Sequence, residues 1–302
     1  MSLNSVNTNI AAQVALQSLN ATQTNLQATQ KRISTGYRVA DATDDGAAFA
    51  VAQKVRADTG ALTTVNQQLG NAKGLVGTAI TGLTSISNTL NSANSLLVKL
   101  SDQGISDDQR GQYLTQFKAL VSQVASTAEG STYNGKTLLG TGNADTKVVA
   151  TEAGSQLTIK AEDNTGLAAS LYALVGGTYT PASGTTPESF GTDPAASAVQ
   201  AAAVSALGTP PGANDVTTIK GLQTTVAGQL NQASSDANTL DATITFNSSK
   251  IDSLNAGLGA LIDADLSKES ANLQALQIRQ QLGTQALSLA NQSPQSLLSL
   301  FK

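Results

Sequence analysis

The chain has 302 residues, a net charge of −4, and no His, Cys or Trp. Those absences exclude an imidazole base, a thiolate nucleophile, a disulfide and any Cys- or His-ligated metal site. Aromatic residues are only 3% of the chain, so its apolar seams must be built from Leu, Ile, Val and Ala, as in narrow helical bundles.

The opening run, MSLNSVNTNIAAQ, has neither a basic n-region nor an apolar h-region and does not read as a cleavable secretory signal. No window approaches the roughly 18 apolar residues of a membrane span. No basic run exceeds Lys31-Arg32, which argues against a phosphate-tracking, nucleic-acid-binding patch.

Ala12, Leu19, Leu26 and Ile33 share one heptad position, and Leu16 is expected to extend the stripe. They predict a first helix, ended at Gly36 by a left-handed cap. Its stripe is thin, so it would be marginal alone. Tyr37 to Thr43 form a connector. Asp44 is expected to cap the second helix, with Asp45 at its positive end.

That second helix is expected to reach about Leu100, with a break near Asp58–Gly60. Leu69, Val76, Leu83, Leu90 and Leu97 hold one heptad position, and Ala72, Ala79, Ile86, Ala93 and Leu100 hold the complementary one. Gly70, Gly74, Gly77 and Gly82 oppose it at about 1 kcal/mol each relative to Ala. Either packing overrides propensity there, or a neighbour approaches closely. Ser106 and Gln109 form a capping-box pair, with Asp107 and Asp108 in the first turn of a third helix. Tyr113, Phe117, Leu120, Val121, Val124 and Ala128 line its face, and it stops before Gly130.

Residues 147–163 change period. Val148, Leu157 and Ile159 flank a Gly-Ser turn and predict a small β-hairpin. Residues 176–214 are rich in Gly, Pro, Thr and Ala and read as a loose, dispensable insert with a short Ala-rich helix near 195–207. From Asp215 the heptads resume. Ile219, Val226, Ala233, Leu240, Leu254 and Leu261 form one row, with Asn247 as a polar exception; Leu230, Ala237, Ile244, Ile251 and Leu258 form the other. A last helix is expected over about 266–291 with Leu266, Leu273, Leu276, Leu287 and Ala290 inward, and Pro294 ending or kinking it.

The fold class is therefore mainly α: an elongated antiparallel helical bundle or coiled coil, made by pairing the N- and C-terminal segments, with the hairpin as its small β element. Heptad arms at both ends point to a structural, assembling protein rather than an enzyme. Asp263 and Asp265 in LIDADLSKES could perform acid–base work or hold a cation, but they read better as a capping and interface cluster. No catalytic, cofactor or metal residue is assigned. Taken alone, KRISTGYRVADATDDGAA at 31–48 is an ordinary helix–linker–helix joint.

Five runs carry a resemblance. In 31–48, Arg32, Ile33, Ser34, Gly36, Arg38, Val39, Ala42, Asp44, Asp45, Ala47 and Ala48 match or nearly match the bacterial flagellin signature. NTNIAAQ at 7–13 resembles the family's Asn-Thr-Asn start, and STYNGKTLL at 131–139 its Phe-Asn-Gly-x-x-Leu segment. LIDADLSKES resembles its Asp-Ala-Asp-x-x-x-Glu run. LANQSPQSLLSLFK at 289–302 resembles its Ala-Asn-x-x-Pro-Gln-x-x-Leu-x-Leu terminus. The order is the same, and the runs lie at both ends.

The resemblance implies a subunit of the flagellar filament, secreted through the flagellar type III apparatus to the extracellular flagellum and supporting swimming. It implies partners: copies of itself, an export chaperone at the C-terminal helix, and filament cap and hook-junction proteins, with no nucleic acid and no membrane insertion. It divides the chain into an inner-tube helix and connector at 1–46 and an outer-tube rod at 47–175 and 215–256. A short surface insert occupies 176–214, and a connector with the second inner-tube helix occupies 257–302. The expected assembly residues are Leu19, Leu26, Arg32, Ile33, Gly36, Arg38, Asp44, Asp45, Asp263, Asp265, Leu273, Leu276, Leu287, Pro294, Leu297 and Leu300.

One departure from the family stands out. Flagellins sensed by the vertebrate toll-like flagellin receptor carry Leu-Gln-Arg-x-Arg-Glu-Leu where this chain has LNSANSL, from Leu90 to Leu96. Ser92 replaces an Arg and Ser95 the Glu, so charge-assisted contacts are lost and weak or no activation is expected. Two alternatives remain. One is a hook–filament junction protein. The other is a cell-surface adhesin or glycan-binding protein, for which Tyr172, Tyr179 and Phe190 are the only ring platform on offer.

Overall fold

A computed structural model describes residues 9–140, 143–162, 164–182, 186–208 and 216–300; the side chains of 165 and 293–300 lie outside that description. The chain divides into two compact units, Met1–Gly60 with Ile251–Lys302, and Ala61–Lys250.

The first unit holds α1 (Ile10–Thr35), the start of α2 (Gly46–Ser101), the end of α6 (Ile219–Ile262) and α7 (Leu266–Leu300). Asn9 caps α1, its Oδ1 accepting from the Ala12 amide, and Gly36 ends it in the left-handed region at φ 73°, as the sequence predicts. A small core gathers Val39, Ala48, Ala52 and Ile262 under Phe49, Leu258 and Leu261.

The second unit is built on α2. Both of its heptad rows, from Leu69 to Leu97 and from Ala72 to Leu100, are buried. α6 lies antiparallel to it, the register marked by Asn66–Ser248, Lys73–Asp241 and Gln223–Asn91 contacts. α3 (Asp107–Gly130) adds Leu114, Phe117, Val121, Val124 and Ala128 to the seam. Its capping box forms as expected. Unexpected is Arg110, buried in the first turn of α3. Its guanidinium donates to the carbonyls of Leu100 and Asp102 and so closes the end of α2.

Short strand pairs decorate this unit. β1 (Thr132–Tyr133) and β2 (Lys136–Thr137) are joined by Asn134-Gly135, both at positive φ (50° and 74°), the geometry of a type I′ turn. β3 (Thr146–Val149) and β4 (Gln156–Ile159) make the predicted hairpin, with Val148 opposite Leu157. α4 (Thr165–Ala173) then buries Leu167, Ala168, Leu171 and Tyr172. β5 (Tyr179–Thr180) pairs with β6 (Ser189–Phe190), and α5 (Ala196–Ala206) follows.

Four expectations need correction. α2 is continuous through Asp58–Gly60, because one glycine costs only about 1 kcal/mol and buried apolar positions flank it. Asp45, not Asp44, caps α2, its Oδ1 accepting from the amides of Ala47 and Ala48 at 3.1 and 3.0 Å. α7 runs through Pro294 to Leu300, so the proline does not end it. The 176–214 stretch is not loose throughout: Val199, Ala203 and Ala206 of α5 belong to the main core. Residues 183–185 and 209–214 of that stretch, and 1–8 of the opening run, lie outside the described residues.

Candidate assembly interface

α1 and α7 pair antiparallel along their length. Asn9 Nδ2 donates to the Ala290 carbonyl at 2.8 Å, Gln280 meets Gln23 at 3.4 Å, and Arg32 Nη1 lies 3.4 Å from Glu269 Oε1. The α1 side of the seam is Ala12, Leu19, Leu26 and Ile33, with Ala15, Thr22 and Thr29 as the second row. On α7 it is Glu269, Leu273, Leu276, Gln280, Gly283, Leu287 and Ala290. Gly283 permits the close approach of Leu19, whose Cδ1 would stand 3.2 Å from an added Cβ. Leu16 is 47% exposed and Leu266 50%, so neither joins the seam. The heptad row that Thr22 and Thr29 complete lies one residue away from Leu16. Leu297 and Leu300 fall on the last turns of α7, and their side chains and that of Pro294 are outside the described part.

The two connectors meet as an irregular ladder. Tyr37 bridges Asp263, the amides of Arg38 and Val39 donate to the Ile262 carbonyl at 2.6 and 3.3 Å, and the Ala264 amide donates to Gly36 O at 2.9 Å. The Arg38 guanidinium donates to Leu261 O at 2.5 Å, satisfying a carbonyl that the end of α6 leaves open. Asp265 caps α7 through the amides of Ser267 and Lys268. Tyr37 lies under the Arg56 guanidinium, 5.7 Å from its ring centre.

Asp44 has a different task from capping. Its Oδ2 accepts from the amides of Ala40 and Asp41 and from Lys31 Nζ at 3.0 Å, while Asp41 takes Lys31 at 2.6 Å. The Lys31 ammonium, then the Thr43 hydroxyl and amide, hold the Asp41 carboxyl well below the usual range. Lys31 and the Ala40 amide lower Asp44 too, and the two carboxylates raise Lys31. This ties the end of α1 to its own connector.

In the second unit, Leu90 and Leu96 are buried while Ser92 and Ser95 face solvent, their hydroxyls donating back to the carbonyls of Asn88 and Asn91. The three rings considered as a sugar platform pack on one another instead. Phe190 lies 5.0 Å from Tyr172, edge to face, and 4.9 Å from Tyr179. Tyr172 and Tyr179 are buried, and their hydroxyls donate to Asp193 and Glu188. Burial first, and those carboxylates second, push both phenols up. Among the described residues no helix is long and apolar enough to cross a membrane.

Comparison with known proteins gives the same frame. Residues 6–144 match the bacterial flagellin N-terminal helical region and residues 217–301 the bacterial flagellin C-terminal helical region. A flagellin of Brucella melitensis is 35% identical over 305 residues, covering 99% of each chain. Flagellins FljM and FljK of Caulobacter vibrioides are 32% and 33% identical over 302 residues, covering all of each chain. Matched at both ends by the family's helical regions and from end to end by whole flagellins, the chain belongs to the bacterial flagellin family.

Proposed function

We propose that this structural subunit of the flagellar filament polymerises through its α1–α7 pair, with the crossed connectors as a second contact region. The observation that carries this is the apolar surface the paired arms leave in water. Val14 is 60% exposed and Leu289 71%, and Ile10, Ile278 and Leu282 are exposed with them. Burying such side chains against a neighbour gains about 25 cal/mol per Å², and their grouping at helical spacing on each arm, Ile10 with Val14 and Ile278 with Leu282 and Leu289, suits an interaction surface.

The arms are also thin. Thr22, Thr29, Gln280 and Gly283 occupy seam positions that a stable coiled coil would fill with Leu or Ile. Ordering the arms therefore draws on contacts between copies, which restrains polymerisation before export. A head-to-tail contact that does not close then generates an open helical filament.

On this reading residues 1–46 and 257–302 line the inner tube, 47–175 and 215–256 form the outer tube, and 176–214 is the surface insert. The chain is exported through the flagellar type III apparatus. The apolar face of α7 at Ile278, Leu282 and Leu289 is the export chaperone's seat, and the cap and hook-junction proteins are partners at the filament's ends. The chain performs no catalysis. End-to-end likeness to flagellins favours the filament over the hook–filament junction, and the mutual packing of Tyr172, Tyr179 and Phe190 disfavours a glycan-binding adhesin.

Electron microscopy of purified protein after seeding tests the assembly scheme. The intact chain should give filaments and a chain lacking residues 1–33 should not. Filaments from the truncated chain, or carbohydrate-binding monomers in place of filaments from the intact one, would overturn it.

A further inference from the structure

We infer that Asn9 is a clasp that sets the register of the two arms, by supplying from α1 the hydrogen bond that Pro294 denies to α7. In an α-helix the carbonyl of residue 290 accepts from the amide of residue 294. α7 includes both positions, but proline has no N–H to donate. The Ala290 carbonyl is thereby left without its helical donor. The group that meets it is the Asn9 side-chain amide, at 2.8 Å from a residue 281 positions away.

Asn9 has both of its side-chain functions engaged. Oδ1 accepts from the Ala12 amide and caps α1, while Nδ2 donates to Ala290. Only a primary amide of this length supplies an acceptor for one helix and a donor for the other. Ser and Asp cap equally well, but an ionised Asp cannot donate and Ser is too short to do both. The two flagellin-like runs at opposite ends of the sequence thus contain the two halves of one contact. Apart from Leu287, nearby seam positions are small and specify register weakly: Ala12 and Ala15 on α1, Gly283 and Ala290 on α7. A slip of α7 by one residue would leave the orphaned carbonyl facing no donor. At the far end Arg32–Glu269 and the connector ladder fix the register. Without Asn9 the other end is held, beyond the mid-seam Gln23–Gln280 contact, by side-chain packing.

The inference rests on the assembly reading above, and seeded polymerisation of the full-length chain tests both. The critical concentration is read for the parent, Asn9→Ser, Pro294→Ala and the double variant. Asn9→Ser keeps the cap and loses the clasp, and should raise the critical concentration about fivefold, the scale of one hydrogen bond lost to an unpaired carbonyl. Pro294→Ala returns an N–H to position 294, so in that background Asn9→Ser should have no effect. Equal losses in both backgrounds, or no loss in either, overturn the clasp while leaving the assembly reading intact. If Pro294→Ala does not polymerise, hydrogen exchange at residues 286–292 in filaments of the parent and of Asn9→Ser decides, and unchanged protection overturns the clasp. A parent chain that forms no filament overturns both.

Discussion

Asn247 donates from its side-chain amide to the carbonyl of Ala150 over 3.0 Å, and it does so from a fully buried position in an otherwise apolar row of α6. One turn further on, Lys250 pairs with Glu152 in the same turn of the β3–β4 hairpin. The polar exception in the heptad row is thus the point where α6 holds the hairpin tip.

Asn247→Asp tests that point. The variant keeps the shape but removes the donor and places a carboxylate beside a carbonyl in a buried site. A loss of about 3 kcal/mol or more is expected, from the top of the range for a neutral unpaired group upward because the new group is charged. Urea unfolding of the monomer, followed by circular dichroism, measures it. A change within about 0.5 kcal/mol, the usual surface range, would show that the hairpin tip is not held here.

The Lys31–Asp41–Asp44 cluster makes a pH prediction. Both carboxyls sit below their ordinary value of 3.8 when folded. Their contribution is fully present above that value and is lost as pH falls below it. Lys31 sits above its ordinary 10.5, so its contribution is present below that value and lost only as pH rises through the raised one. Filaments of Lys31→Ala should therefore be less heat-stable than the parent at pH 7, with the gap narrowing as pH drops below about 4. A gap that stays constant down to pH 3 would count against the cluster.

α5 should matter to folding. Val199→Ala removes two methyl groups from a site in the main core and should destabilise the monomer by about 2 kcal/mol, between the usual Ile→Val and Leu→Ala costs. A neutral result in thermal unfolding would return the 176–214 stretch to the dispensable role its composition suggests.

Ser92 and Ser95 are exposed and their hydroxyls donate back to their own helix. Purified monomer should therefore be weak or silent on reporter cells carrying the toll-like flagellin receptor. Ser92→Arg with Ser95→Glu should raise potency by restoring charged donors and acceptors. Full potency of the unaltered monomer would refute the assignment.

The strong periodic seams were legible because burial and sequence period agree there. Every residue of the two α2 rows is Leu, Ile, Val or Ala, and all are buried. The arms were harder because their seams are not apolar. Thr22, Thr29, Gln280 and Gly283 carry no hydrophobic signal, so the nearby Leu16 and Leu266 drew the stripe towards them. Adjacent carboxylates hide another choice: Asp44 and Asp45 both suit an N-cap, and Lys31 with the Ala40 and Asp41 amides holds Asp44 elsewhere. Arg110 left no local trace, since its acceptors lie across a turn at Leu100 and Asp102. The Asn134-Gly135 turn was readable by the hairpin rule, but its strands are only two residues long, too short to show alternation.

The glycines of α2 divide by what surrounds them. A Cβ at Gly74 would stand 2.6 Å from the Tyr133 ring. One at Gly82 would strike the Ser131 hydroxyl and stand 2.8 Å from Leu139 Cδ1. Gly82→Ala should therefore destabilise the monomer, by about 1–3 kcal/mol as overpacking does. Gly70 and Gly77 have nothing within 4 Å of an added Cβ. Within one chain, replacing either by Ala should stabilise the helix by about 1 kcal/mol. Among the described residues, no contact accounts for glycine at either position. If they admit a neighbouring copy, Gly77→Ala will raise both the melting temperature of the monomer and the critical concentration for polymerisation. A rise in the first without the second would mean that no neighbour approaches α2 at that position.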